Sequence, residues 1–257
     1  MPIKAVLLDL EGTLYAHGAP LPGAHQALTE LQAAGLRLRF LTNSDSKTRG
    51  SISQDLAAIG LDVPADAIFT PASAALELLR QQPDVRCFGL LSRALRAEFT
   101  PFLAETGPVQ YVLVGDVRDC LSYSAFDAAF RHLMAGAELL ALQRGRYFLR
   151  PDGPHLDTGA FVALMEYAAA KQARVLGKPA PAFFQMALQD LGCSPDEVAV
   201  VGDDITTDVA GAKVIGAFSI LVRTGKYDTT ALGQAAVQPD LIIASIAQLP
   251  SALRGLR

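Results

Sequence analysis

The chain of 257 residues has no tryptophan, only three cysteines and four histidines, and no surplus of positive charge. Each shortage excludes something. Cys87, Cys120 and Cys193 are odd in number and never stand in C-x-x-C spacing, so neither a disulfide framework nor a zinc knuckle is expected. His17, His25, His132 and His155 show no metal-ligand spacing. With 22 Lys and Arg against 26 Asp and Glu, the surface is not built to neutralise a nucleic-acid backbone or an anionic membrane. No uncharged apolar run approaches the ~20 residues that cross a bilayer, and the apolar start of the chain is broken at Asp9, too early for a secretory leader. A soluble, cytoplasmic protein is expected.

What is abundant points to a packed α/β protein. Half of the residues are hydrophobic and 19% are charged, the profile of a globular chain. Apolar runs at 5–10, 36–41 and 67–69 read as strands, and the segment after Pro22-Gly23 and the one after Ser46, a plausible N-cap, read as helices between them. Thr70-Pro71 is a cap followed by a first-turn proline. The alternation continues with strands at 85–91, 109–114, 139–142, 175–176, 198–201, 218–222 and 241–244. Helices are expected over 124–134, 159–171, 180–191 and 208–215. A hairpin-like segment, RGRYFLRPDGP, interrupts the pattern. Repeated β-α-β units form a parallel sheet with helices on both faces, a Rossmann-like arrangement.

Four polar clusters stand where such a sheet binds ligands, just beyond the carboxyl ends of strands. They are Asp9-Leu10-Glu11-Gly12-Thr13, Thr42-Asn43, Gly177-Lys178-Pro179, and Gly202-Asp203-Asp204 with Asp208. Any one alone reads more readily as a turn or a helix cap than as a site. Four in this order suit phosphoryl transfer. Asp9 is a candidate carboxylate nucleophile, presented by the Gly12-Thr13 turn. Asp203, with Asp204 beside it, offers the hard oxygen ligands that Mg²⁺ prefers. Thr42, Asn43 and Lys178 can donate hydrogen bonds or charge to the transferring phosphate, and Asp208 can hold Lys178 in place.

The motifs DLEGT, LTN, GKP and GDDITTD resemble the four ordered motifs of the haloacid dehalogenase superfamily, over residues 3 to about 250. Residues 15–22 are too few for a domain after the first strand, whereas the span from Asn43 to Lys178 is longer than a βα crossover needs, which takes about a dozen residues. The chain is therefore similar to the C2-capped, NagD-like branch (subfamily IIA), close to phospholysine phosphohistidine inorganic pyrophosphate phosphatase and its hydrolase-domain-containing relatives. The resemblance implies a discontinuous core of residues 1–79 and 174–257 and an inserted smaller α/β cap of residues 80–173 that closes over the site and selects the substrate. It implies Mg²⁺ on Asp9, the Glu11 main-chain carbonyl and Asp203, and phosphate on Thr42, Asn43 and Lys178. The expected partner is a small phosphorylated molecule, with no nucleic acid and no membrane; a homodimer stays open.

One position departs from the family pattern. Most phosphatases of the superfamily carry Asp two residues after the nucleophile as general acid and base, and here the residue is Glu11. The near relatives have Ser there and enolase-phosphatases have Glu. A binding protein that kept the fold and lost turnover, or a phosphomutase, stays open as an alternative. A metal-free dehalogenase is disfavoured by the Asp203-Asp204 pair. In the cap, Asp116, Arg118, Asp119, Gln143, Arg144 and Arg146 follow strands and either face the substrate or are solvated, while Asp157 opens a helix.

Overall fold

The computed structural model describes residues 2–150 and 152–255. Contacts divide the chain into two units: residues 1–42, 49–69 and 178–257 form the first, and residues 43–48 and 70–177 the second.

The first unit is built on a six-stranded parallel sheet. Its order is Leu241–Ile243, Phe218–Val222, Val198–Gly202, Ala5–Asp9, Arg37–Leu41 and Ile68–Phe69. Ala5–Asp9 and Val198–Gly202 are buried at every position, as a strand covered on both faces requires, and this explains their unbroken apolar sequence. In helix Ala24–Ala33 the buried residues Ala24, Ala27, Leu28 and Leu31 repeat at helical spacing and join the core cluster that contains Val6 and Leu8. Each such buried aliphatic side chain contributes roughly 1.5–3 kcal/mol. Chain order reverses between Ala5–Asp9 and Val198–Gly202, so the crevice at their carboxyl ends is the topological switch point.

The second unit has its own four-stranded parallel sheet, ordered Arg174–Val175, Glu138–Ala141, Tyr111–Val114 and Cys87–Leu90. Helices Tyr123–Met134 and Thr158–Ala169 pack with it through Ala129, Leu133, Val162 and Met165. The RGRYFLRPDGP segment carries the antiparallel strands Tyr147–Arg150 and Gly153–Leu156; Pro151 lies outside the described residues. Helix Pro71–Arg80 opens as the sequence predicts, with Thr70 and Ser73 forming a reciprocal cap and proline in the first turn.

Two helix starts differ from expectation. The helix expected from Ser46 begins at Arg49, and residues 43–48 belong instead to the second unit. The helix expected from Asp208 is preceded by a π-helical turn, Ile205–Val209, before the regular stretch Ala210–Ile215. Among the described residues no helix is long and apolar enough to cross a membrane.

Candidate active site

Asp9 is the last residue of the central strand, and the residue is 7% exposed. The turn after it is closed by the main chain: Leu14 N donates to Leu10 O at 2.8 Å and Gly12 N donates to Tyr15 O at 2.7 Å. Gly12 has φ +93°, and a Cβ there would stand 2.0 Å from Asp203 Oδ2, so only glycine fits the turn. Thr13 Oγ1 donates to Asp9 Oδ2 at 3.0 Å. Glu11 is exposed at the mouth of this turn.

Lys178 reaches the same place from the other half of the unit. Its Nζ donates to Asp9 Oδ1 at 2.6 Å, to Asp208 Oδ1 at 2.7 Å and to the Leu41 carbonyl at 3.5 Å. Burial pulls against its charge, but Asp208 and Asp9 outweigh burial and hold the ammonium above its ordinary range. Asp203, one residue past the neighbouring strand, takes the main-chain N–H of Lys226 on Oδ2 at 2.6 Å. Burial, followed by the charges of Asp9 and Asp208, pushes Asp203 up to about 7. Asp9, Asp203 and Asp208 each present a carboxylate oxygen within 4.8 Å of the others.

The roles of the two further acids separate on their bonds. Asp208 gives Oδ1 to Lys178 and Oδ2 to the Asp204 N–H at 3.2 Å, which makes it a holder of the lysine and of the π turn. Asp204 caps that turn, accepting from Thr206 N at 2.8 Å and Thr206 Oγ1 at 2.6 Å. Burial pushes Asp204 up, but the Thr206 bonds and the Lys226 charge outweigh it and leave the carboxyl below its usual range. Thr42 follows the next strand, is 8% exposed and takes the Phe69 carbonyl on its main-chain N–H at 3.1 Å. Asn43 is half-buried and groups with the second unit. A Cβ on Gly177 would stand 2.6 Å from Asn43 Oδ1 and 2.7 Å from the Leu142 carbonyl, so the glycine before Lys178 is what lets the asparagine in.

A fifth segment takes part that the sequence reading passed over. Thr224 Oγ1 donates to the Gly12 carbonyl at 2.6 Å, and Lys226 Nζ lies 3.5 Å from Asp204 Oδ2. The RTGKYD stretch follows the Phe218–Val222 strand at the same sheet edge. Its position beyond a strand was the signal that could have found it.

Of the polar residues in the second unit, most are tied to one another. Arg118 Nε donates to Asp116 Oδ1 at 2.8 Å, and Gln143 Nε2 donates to Asp157 Oδ1 at 2.8 Å. Arg144 pairs with Glu166 at 2.5 Å, and Asp119 accepts from Arg93 N at 3.1 Å.

Comparison with known proteins gives one family. The profile described as haloacid dehalogenase-like hydrolase matches residues 6–102, and a second, HAD-hydrolase-like, matches residues 175–249. Haloacid dehalogenase-like hydrolase domain-containing protein 2 of Mus musculus is 40% identical over 88% of this chain and 86% of its own. Phospholysine phosphohistidine inorganic pyrophosphate phosphatase of Xenopus laevis is 37% identical over 88% and 85%. The structure of the 4-nitrophenylphosphatase of Thermotoga maritima superposes with a TM-score of 0.91 at 27% identity, over 98% of this chain and 97% of that one. With the ordered motifs at one sheet edge and these relatives spanning nearly the whole chain, the protein belongs to the haloacid dehalogenase-like hydrolases, in their NagD-like branch.

Proposed function

We propose that this protein is a Mg²⁺-dependent phosphatase that hydrolyses a phosphate monoester or related small phosphorylated compound through an aspartyl-phosphate on Asp9. One observation carries the reading: three buried carboxylates and a buried lysine converge at the switch point, and the lysine compensates only part of their charge. Phosphatase names among the relatives support it.

The donor set fits a hard divalent cation. Asp9, the main-chain carbonyl of Glu11 and Asp203 would hold Mg²⁺, and such an ion would offset both the burial and the crowding by Asp9 and Asp208 that raise Asp203. Bound there, Mg²⁺ would offset the repulsion between Asp9 and the substrate phosphate. Lys178, Thr42 and Asn43 would bind the phosphate oxygens, Lys178 as a fixed positive charge that needs no rearrangement as charge develops. An Asp9 oxygen attacks phosphorus, the bond to the leaving oxygen breaks, and Glu11 gives that oxygen a proton. Glu11 then takes a proton from water, whose oxygen attacks the same phosphorus and releases Asp9 and inorganic phosphate. Because the turn bearing Glu11 is closed by main-chain bonds, its exposed carboxyl is available for this work.

The inserted domain expected over residues 80–173, a stretch that lies inside the second unit of residues 43–48 and 70–177, acts in this reading as a mobile cap that excludes water and selects the substrate. A cytoplasmic setting goes with it. Hydrolysis of p-nitrophenyl phosphate, measured with Mg²⁺ and with chelator, tests the proposal. Turnover that needs Mg²⁺ is expected, and none with either would contradict it. A panel of phosphorylated metabolites, pyrophosphate and phosphohistidine included, then identifies the substrate.

A further inference from the structure

Asp45 is a buried carboxylate that the proposed chemistry does not use. It is 4% exposed, and its Oδ2 accepts the Thr158 hydroxyl at 2.6 Å. Burial is the main influence on it, and with the charges of Asp157 and Asp116 it pushes Asp45 up to about 7, against the Thr158 bond. A buried acid surrounded in this way costs folding energy, so a compensating role is called for.

Its place in the chain suggests that role. Residues 43–48 form a short strap that leaves the first unit after Thr42 and rejoins it at Arg49, and contacts at Asn43, Asp45 and Ser46 help to seat it. Asn43 lies against Gly177, Asp45 takes the Thr158 hydroxyl, and the Ser46 carbonyl accepts from Ser92 Oγ at 3.0 Å. Thr158 is itself rigidly held. It is the first residue of its helix, its N–H is capped by Asp157 Oδ1 at 2.8 Å, and Gly159 N donates to Gly145 O at 2.9 Å. The middle of the strap is thus fixed to a rigid helix start, two residues from Asn43.

We propose that Asp45 and Thr158 are positioning residues for phosphate binding: their hydrogen bond seats the 43–48 strap and so fixes the direction in which Asn43 presents its amide. Neither touches the substrate. The inference rests on the phosphate role proposed for Asn43, and its test separates the two. Removing a hydrogen bond to a buried carboxylate while keeping the side-chain shape, as in Thr158→Val, should loosen the strap and weaken phosphate contacts by roughly tenfold. Thr158→Ser keeps the hydroxyl and should restore both.

The experiment measures hydrogen exchange of the 44–48 amides, the affinity for inorganic phosphate in the presence of Mg²⁺ by calorimetry, and KM and kcat for p-nitrophenyl phosphate. Expected in Thr158→Val are faster exchange in 44–48, roughly tenfold weaker phosphate binding and a raised KM with a smaller change in kcat, all reversed in Thr158→Ser. Exchange and phosphate affinity that both stay at wild-type values would overturn the proposal. So would faster exchange with unchanged affinity, which would make the bond merely structural. Should Thr158→Val not fold, the smaller Thr158→Ala is read in the same way. A wild-type protein that turns over no phosphate ester would defeat the phosphatase reading alone, because exchange and phosphate affinity still decide the strap.

Discussion

In the first unit, Asp9, Asp203, Asp208 and Lys178 lie together, each under a tenth exposed, three carboxylates against one ammonium. In the second, the polar residues that follow strands pair off: Asp116 with Arg118, and Gln143 with Asp157, while Arg144 finds Glu166 on a helix. Both regions are parallel sheets with polar carboxyl edges. The first gathers several buried acids around one lysine, whereas the second holds a single acid raised by burial among those described, Asp45, and buried charge is tolerated only when something pairs with it. Polarity at a strand end therefore does not mark chemistry; several buried acids converging on one lysine do.

Removing one cation from each region should have unequal consequences. Lys178→Met takes the ammonium from between Asp9 and Asp208, and a loss of roughly 3–5 kcal/mol is expected together with loss of phosphatase activity. Arg118→Met removes a partly exposed partner of the buried Asp116, which keeps the Arg118 main-chain N–H at 2.9 Å, and should cost less, roughly 1–2 kcal/mol. Urea unfolding of the two variants decides, and equal losses would erase the distinction.

Glu11→Gln bears on the chemistry of the first region. If the exposed carboxyl is the acid and base, kcat should fall by roughly 10²–10⁴-fold for an alkyl phosphate and less for p-nitrophenyl phosphate, whose leaving group scarcely needs a proton. Mg²⁺ affinity should barely change, since the ligand assigned at this position is a main-chain carbonyl. An equal effect on both substrates, or none on either, would remove the acid-base role and favour a binding protein.

A smaller effect is expected from Asp45→Asn, read as stability against pH. The folded protein holds Asp45 at about 7 against an ordinary 3.8, chiefly by burial, with Asp157 and Asp116 adding to it and the Thr158 bond opposing; the Arg118 guanidinium lies close enough to feel the Asp45 charge. Ionisation is then easier in the unfolded chain. The wild type loses stability as pH rises from 3.8 to about 7, and the variant lacks that loss. Denaturation of both proteins at about pH 5 and about pH 8 should show the variant gaining on the wild type at the higher pH. A difference that does not change with pH would mean the carboxyl titrates normally.

The parallel fold was legible because its cause is local. Ala5–Asp9 and Val198–Gly202 are apolar throughout since both faces are covered, and Thr70-Pro71 announces its helix by its own cap. Asp9, Lys178 and Asp203 were legible for a related reason: each directly follows or ends an apolar run. The strap was not. Ser46 looks like a cap, but its carbonyl is engaged by Ser92 and Asp45 by Thr158, partners 46 and 113 residues away in the chain. Nor was the Thr224–Lys226 loop, because it contributes a hydroxyl and a main-chain N–H to the turn and to Asp203 rather than a reactive side chain.

Phosphorylation of Asp9 is tested by acid quenching during turnover with a phosphorylated substrate, followed by peptide mass analysis. One phosphoryl group is expected on the peptide containing Asp9, removable by hydroxylamine, with none in Asp9→Asn and with that variant folded but slowed by roughly 10³-fold or more. Phosphate on another residue, or an Asp9→Asn protein that still turns over at more than a few per cent of the wild-type rate, would contradict covalent catalysis by Asp9.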